Sequence, residues 1–165
     1  RPTLDKVREA VFSSLGGMFD GGTVLDLYAG SGANGLEALS RGYDYAVFAD
    51  ISKDAIQVIR KNIESLRCKE KTKVLHVPDK KALSLLKAEG LRFDLVYLDP
   101  PYAGQRNNEI LEYLQENNMI TDCGVVVIES AKEDEFKKEF GSLKPYKEAT
   151  YGITRITYYR NEVEG

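Results

Sequence analysis

The chain has 165 residues, of which 42% are apolar, and a formal net charge of −3. This length suits one domain with a substantial core, so we predict a single domain over residues 1–165. No apolar run approaches the ~20 residues that cross a membrane, so no membrane protein is expected. The acidic balance argues weakly against nucleic-acid binding, which usually needs a basic surface. Cys68 and Cys123 have no companions at metal-ligand spacing, so neither a metal site nor a disulfide is expected.

The N-terminal part predicts a helix, a strand and a glycine-rich loop. Apolar residues recur at helical spacing over residues 2–15, and a short strand is predicted at residues 23–27. Gly30, Gly32 and Gly35 follow with G-x-G-x-x-G spacing and precede a helical stretch at residues 36–41. Such glycines allow a tight turn, a close approach of the backbone to a ligand, and close packing of a helix on a strand. The spacing is a weak signal alone, but its position between strand and helix favours a nucleotide-binding loop.

An acidic residue follows at the distance typical of ribose recognition. The strand predicted at residues 45–50 ends at Asp50, and an ionised carboxylate can accept both hydrogen bonds of a ribose diol. The alternative is that Asp50 caps the helix predicted at residues 53–66, although Ser52 is better placed for that. A third strand is predicted at residues 73–77, and Asp79 is expected to cap a helix that runs through residue 88.

The turn after the fourth predicted strand is the clearest candidate for a catalytic site. Residues 93–98 form an apolar run that stops at Asp99, Pro100, Pro101 and Tyr102. Because prolines lack an N–H group and have a fixed φ, the strand must end there in a rigid turn. Ligands of open α/β sheets bind outside the carboxyl ends of the strands, where this turn would lie. The alternative is an ordinary turn with a solvated aspartate.

The remaining sequence completes a sheet. It predicts a helix at residues 109–116, a buried strand at 124–129, a polar helix at 133–140, and a hairpin of strands 144–151 and 153–160 around Gly152. The order predicts an α/β, Rossmann-like, doubly wound sheet of seven strands. It is mainly parallel, has an antiparallel C-terminal hairpin whose last strand inserts beside the fifth, and carries helices on both faces.

The turn residues suit methyl transfer to nitrogen. The lone pair of an exocyclic amine is delocalised into its ring, so acceptors for its two N–H groups favour a pyramidal, nucleophilic nitrogen. The carboxylate of Asp99 and the carbonyl of Pro100 are such acceptors, held by Pro101. Tyr102 is expected to stack on the base, which favours an extruded nucleotide. No metal is required.

Together these features resemble class I S-adenosylmethionine-dependent methyltransferases, and most closely the RsmD-type bacterial 16S rRNA (guanine-N2-)-methyltransferases. Three blocks carry the resemblance: residues 1–9 (Arg-Pro-Thr-Leu-Asp-Lys-Val-Arg-Glu), residues 24–39, and Leu-Asp-Pro-Pro-Tyr at residues 98–102. The first is the specific one, since the others occur in many amino methyltransferases. The resemblance implies S-adenosylmethionine as cofactor, a guanine N2 amine of 16S rRNA as acceptor, a small-subunit assembly particle as partner, and a bacterial cytoplasmic location. Family members usually have a further N-terminal β segment, so the chain is expected to be a trimmed form.

The resemblance also implies the binding residues. Asp26 would lie near the methionine end of the cofactor, Asp50 on the ribose hydroxyls, Ile51 on the adenine ring and Asp79 near the adenine amine. The full cofactor set is Asp26, Tyr28, Ala29, Gly30, Ser31, Gly32, Gly35, Asp50, Ile51 and Asp79. Lys80 departs from the small residue usual after that last aspartate. The candidates for RNA contacts are Arg1, Thr3, Lys6, Arg8 and Arg106.

Two other classes remain open. An amino methyltransferase with another acceptor, such as adenine N6 in DNA or a protein glutamine, would use the same turn at residues 99–102. A nicotinamide-dependent Rossmann oxidoreductase, or a non-catalytic nucleotide-binding module, would use the glycine loop. That second class gives no role to residues 99–102 or to the closing hairpin.

Overall fold

Seven strands form one mainly parallel sheet in a computed structural model that describes residues 2–101, 103–135 and 139–163. The strands are β1 (Thr23–Leu27), β2 (Tyr45–Ala49), β3 (Thr72–Leu75), β4 (Phe93–Leu98), β5 (Ile120–Ala131), β6 (Leu143–Tyr151) and β7 (Thr154–Asn161). Their order across the sheet is β3-β2-β1-β4-β5-β7-β6. Strand β7 lies antiparallel between β5 and β6, so the predicted insertion of the last strand beside the fifth is confirmed.

Five α-helices cover the two faces of the sheet in the described residues. They are α1 (Pro2–Leu15), α2 (Ala33–Ser40), α3 (Lys53–Ser65), α4 (Asp79–Ala88) and α5 (Asn107–Glu116), with a short 3₁₀ turn at Lys69–Lys71. Helices α1, α2 and α3 bury their apolar sides in one core cluster, and α4 and α5 do so in the other. The predicted doubly wound fold is therefore confirmed. None of these helices is long and apolar enough to cross a membrane.

The register of the central strands brings three chain segments to one edge. Leu27 at the end of β1 pairs with Ala49 at the end of β2 and with Leu98 at the end of β4. Because the three strands are parallel and end level, the residues that follow them meet at the carboxyl edge. This alignment positions the glycine loop, Asp50 and Asp99 next to one another.

Helix α1 crosses the sheet in the direction opposite to the parallel strands. Its C-terminal residues Ser14 and Leu15 line a groove with Asp94 and Thr121, which lie near the amino ends of β4 and β5. The N-terminal half of α1 therefore lies toward the carboxyl edge. Lys69–Lys71 precedes β3 directly and belongs to the amino edge, as the sequence predicted.

One predicted helix is wrong in the part that the structure describes. Residues 133–140 were expected to be helical, yet residues 133–135 are not, and Phe140 forms an antiparallel bridge with Leu143. Phe140 is buried with its ring 5.9 Å from that of Tyr159. This contact anchors the entry to β6, and polar periodicity could not reveal it. Residues 136–138 lie outside the described part.

Candidate active site

A cavity of about 520 Å³ opens at the carboxyl edge beside β1, β2 and β4. Its volume is in the range of small-molecule sites in proteins. The lining combines the ends of these strands with the segment before α5: Leu27, Tyr28, Gly30, Ala49, Asp50, Ile51, Val77, Pro78, Asp79, Asp99, Pro100, Pro101, Gly104, Gln105 and Arg106. The cavity thus unites the predicted catalytic turn with half of the predicted cofactor residues.

The three glycines of the loop occupy different surroundings. Gly30 lines the cavity, has φ +57° and would place a Cβ within 4 Å of no other group. A Cβ on Gly35 would lie 2.4 Å from Cε2 of Phe48, and one on Gly32 would lie 3.3 Å from the same ring atom. Gly30 therefore faces the cavity, whereas Gly32 and Gly35 allow α2 to pack closely against β2.

Asp26 stabilises the glycine loop by a hydrogen bond and does not line the cavity. It is fully buried, and its Oδ2 accepts a hydrogen bond of 2.9 Å from the backbone N–H of Gly35. Burial raises the pKa of Asp26, although the bond from Gly35 opposes this shift. Ala29 is buried and Ser31 is exposed, and neither belongs to the cavity lining. These residues, with Gly32, shape the loop, and direct contacts with a cofactor stay a prediction for them.

Asp50 links the loop to the start of α3 while facing the cavity. Its Oδ2 accepts from the N–H of Gly30 at 2.9 Å, and its Oδ1 accepts from the N–H of Ser52 at 2.8 Å. The hydroxyl of Ser52 caps α3 by accepting from Ala55 at 3.2 Å, as the sequence favoured. Each carboxylate oxygen has a further lone pair for a ligand hydroxyl. Ile51 is 69% exposed and forms an apolar part of the same wall.

Asp79 joins two side chains at the far end of the cavity. It accepts from the hydroxyl of Tyr28 at 2.7 Å, and Nη2 of Arg106 lies 2.6 and 2.7 Å from its two oxygens. Burial alone would raise the pKa of Asp79, but these hydrogen bonds hold it below its usual value. Tyr28 has φ +63°, an uncommon conformation for a residue other than glycine. The predicted capping position is wrong, because Pro78 is the N-cap and Asp79 is the first residue of α4, although Oδ1 of Asp79 also accepts from the N–H of Lys80 at 2.7 Å.

Three of the predicted RNA contacts have described side chains, and these lie on α1 and directly before α5. Arg106 lines the cavity and is paired with Asp79. Arg8 lies 2.8 Å from Asp5 and 3.6 Å from Glu37, whereas Lys6 is exposed on α1. Arg1 and Tyr102 lie outside the described residues, as does the side chain of Thr3. For all five candidate RNA contacts, and for the stacking role of Tyr102, the assignment stays a prediction.

Asp99 is paired with a carboxyl group that the sequence did not identify. Asp99 is partly buried at the end of β4, and its side chain is hydrogen-bonded to Glu129 of β5. Glu129 is only 8% exposed, and its Oε1 accepts from the hydroxyl of Tyr97 at 2.6 Å. Burial, then the negative charge of Glu129, raises the pKa of Asp99 to about 8. The sequence signal for Glu129 was its position as a charged residue directly after the apolar run from Val125 to Ile128.

The chain has the fold of the class I S-adenosylmethionine-dependent methyltransferases. Its glycine loop next to Asp26 and the cavity beside Asp99 are consistent with that class. Within the described residues, no group of three or more histidine, cysteine or acidic side chains could hold a metal ion.

A family model described as Conserved hypothetical protein 95, the RsmD family, matches residues 1–160. The chain belongs to this family, which confirms the resemblance found in the sequence.

Proteins from three bacteria resemble the chain over nearly its whole length. It is 37% identical over 160 residues to "Putative rRNA methyltransferase YlbH" of Bacillus subtilis (strain 168), with 97% of this chain and 87% of that protein covered. It is 30% identical to ribosomal RNA small subunit methyltransferase D of Escherichia coli (strain K12), covering 100% and 81%. A solved conserved hypothetical protein from Streptococcus pyogenes is 38% identical, with a TM-score of 0.88 and coverage of 94% and 95%.

Proposed function

We propose that this protein transfers a methyl group from S-adenosylmethionine to the exocyclic N2 amine of a guanine in 16S rRNA. The observation that carries the proposal is the position of Asp99, Pro100 and Pro101 on the rim of the cavity that Gly30 and Asp50 also line. An amine acceptor site and a nucleoside site thus share one opening. Relatives named as rRNA methyltransferases support RNA as the acceptor.

The cavity residues fit the cofactor. Asp50 lines the cavity and keeps acceptor lone pairs beyond its two backbone bonds, so it would accept from the ribose hydroxyls, and Ile51 with Val77 would offer apolar surface to adenine. Asp79 lies at the end where the adenine amine would donate. The bound cofactor supplies an activated methyl group on a positively charged sulfur. The protein's own contribution is therefore to hold the acceptor nitrogen in line with that group, which can supply much of the rate acceleration.

The turn after β4 would position the acceptor base. In its ionised form, Asp99 accepts one N–H of the amine, and the carbonyl of Pro100 accepts the other. Pro100 is buried and Pro101 is exposed, so the turn is anchored on one side and open to the substrate on the other. Tyr102 would stack on the extruded base.

The proposal extends to the partner and the location. We infer that the RNA is presented within a partly assembled small subunit in the bacterial cytoplasm. Phosphate contacts would come from the N-terminal half of α1, where Lys6 is exposed. Arg1, Thr3 and Arg8 belong to the same block of the chain, so they are the further candidates.

Methyl transfer from S-adenosylmethionine with a labelled methyl group tests the function. The acceptors are naked 16S rRNA, partly assembled small subunits, duplex DNA and a glutamine-containing protein extract, and the modified residue is identified by mass spectrometry after digestion. We expect N2-methylguanosine in rRNA. Labelled N6-methyladenine in DNA or methylated glutamine, with unlabelled rRNA, would replace this function by one of the alternatives.

Asp99→Asn tests the catalytic role of the turn. It should bind S-adenosylhomocysteine as the unchanged protein does, while turnover falls at least about a hundredfold, because the neutral amide is a weaker acceptor for the amine and cannot take up its proton. Equal losses of affinity and turnover would assign Asp99 a structural role.

A further inference from the structure

Glu129 lies beside the catalytic turn and is buried although it is a charged residue. Strand β5 is parallel to β4, and Leu98 pairs with Ile128. The next residues on the two strands, Asp99 and Glu129, are therefore neighbours at the carboxyl edge. Glu129 is 8% exposed, and one of its oxygens accepts from Tyr97 at 2.6 Å. The side chains of Glu129 and Asp99 are hydrogen-bonded to each other.

Two carboxyl groups can share a hydrogen bond only if one of them holds a proton. The surrounding acidic groups are Asp26 on β1, whose buried carboxyl interacts electrostatically with Asp99 and Glu129, and Asp50 after β2, which interacts with Asp26. Tyr97 on β4 provides a hydroxyl to the pair. Burial and the charge of Glu129 raise the pKa of Asp99 to about 8. A general base works best when its pKa lies near the operating pH, whereas an ordinary aspartate is too weak a base at neutral pH.

We propose that Glu129 is a positioning residue that makes Asp99 the general base for the amine proton, an inference that rests on the function proposed above. The amine nitrogen forms a bond to the methyl carbon as the sulfur–carbon bond breaks, and the electron pair of that bond stays on sulfur. One N–H bond of the methylated amine then breaks, its electron pair returns to nitrogen, and the carboxylate of Asp99 takes the proton. The pair later releases the proton to water at the cavity mouth.

The pH dependence of Glu129→Gln tests this role. Glutamine keeps the size and a donor toward Asp99 but removes the negative charge. We measure kcat/KM for rRNA between pH 6 and 9 at saturating cofactor. The unchanged protein should gain activity with pH, reach half of its plateau near pH 8, and show about tenfold less activity at pH 7 than at the plateau. In Glu129→Gln the rise should move at least about one pH unit toward acid, because the repelling charge is gone.

Glu64→Gln is the control, since Glu64 is exposed on α3 and the substitution changes the net charge equally. Its profile should overlay that of the unchanged protein. A Glu129→Gln profile that keeps the original midpoint, or that is lowered by one factor at every pH, would overturn the inference. If the unchanged protein does not methylate rRNA, it is the proposed function that fails.

A second measurement does not depend on the folding of Glu129→Gln. Infrared difference spectra of the unchanged protein against Asp99→Asn should show a protonated carboxyl band that disappears as the pH passes about 8. If the spectra at pH 7 show the same protonated carboxyl band in the unchanged protein and in Asp99→Asn, then Asp99 is not the proposed base.

Discussion

Replacement of Asp50 by asparagine separates the structural role of this carboxylate from the cofactor-binding role proposed for it. In the structure both oxygens accept backbone N–H bonds, from Gly30 at 2.9 Å and from Ser52 at 2.8 Å. The same carboxylate lines the cavity where the ribose is expected. Asparagine has the same shape but only one acceptor oxygen, so its NH₂ group must face a backbone N–H or the ribose hydroxyls.

The expected losses follow from these contacts. A hydrogen bond to a charged group contributes about 1.5–3 kcal/mol. We expect Asp50→Asn to lower the free energy of unfolding without cofactor by about 1–2 kcal/mol, through one lost backbone bond. Affinity for S-adenosylhomocysteine should fall by about 1.5–3 kcal/mol, which is roughly 10-fold to 150-fold in Kd.

Denaturant unfolding and calorimetry measure the two quantities. Ser52→Ala is the matched control, because it removes only the hydroxyl cap of α3. It should cost about 1 kcal/mol of stability and leave cofactor affinity unchanged. An unchanged Kd in Asp50→Asn would exclude Asp50 from the ribose site. An equal loss of affinity in Ser52→Ala would show that the helix start, and not the carboxylate, determines binding.

Two further predictions concern the glycine loop and the edge of the sheet proposed to bind RNA. Gly35→Ala should lower the free energy of unfolding by about 1–3 kcal/mol with near-normal cofactor affinity, because its Cβ would lie 2.4 Å from the Phe48 ring. Gly30→Ala should weaken cofactor binding in calorimetry and also cost about 1 kcal/mol of stability, because alanine is strained at φ +57°; near-normal cofactor affinity in Gly30→Ala would contradict the assigned roles. Lys6→Glu should weaken rRNA binding and flatten its dependence on salt by about one unit of slope. Lys69→Glu, at the amino edge, should change neither, and equal effects would refute the proposed docking edge.

The sheet was predictable because its signals are local. Buried parallel strands read as short apolar runs, and the helices between them show one apolar side, so the order of elements determines the fold class. The position of β7 beside β5 followed from the hairpin around Gly152. The ends of the strands were predicted less accurately. Strand β5 begins at Ile120, whereas the apolar run predicted that it would begin at residue 124. The sheet here is irregular, with a register shift between Phe93 and Leu95, and such shifts leave no simple pattern.

The candidate site was only partly predictable because its contacts join distant segments. The glycine spacing and the Asp-Pro-Pro-Tyr turn have local sequence signatures, so both were found. The pairing of Asp79 with Tyr28 and Arg106 depends on how the loops before α4 and α5 fold over the cavity. Glu129 reads as the end of a strand until the parallel register places it beside Asp99. Partners across strands become visible only once the register is known.

Asp50 and Asp99 show how surroundings can give the same residue type different tasks. Each directly follows a parallel strand, and both line one cavity. Asp50 accepts two backbone N–H bonds, and each of its oxygens keeps a lone pair for the proposed ribose hydroxyls. Asp99 is instead buried against a second carboxyl group, which raises its pKa and suits it to take up a proton. The strand ends determine where the two carboxyl groups lie, and their neighbours are the reason that we propose binding for Asp50 and reaction for Asp99.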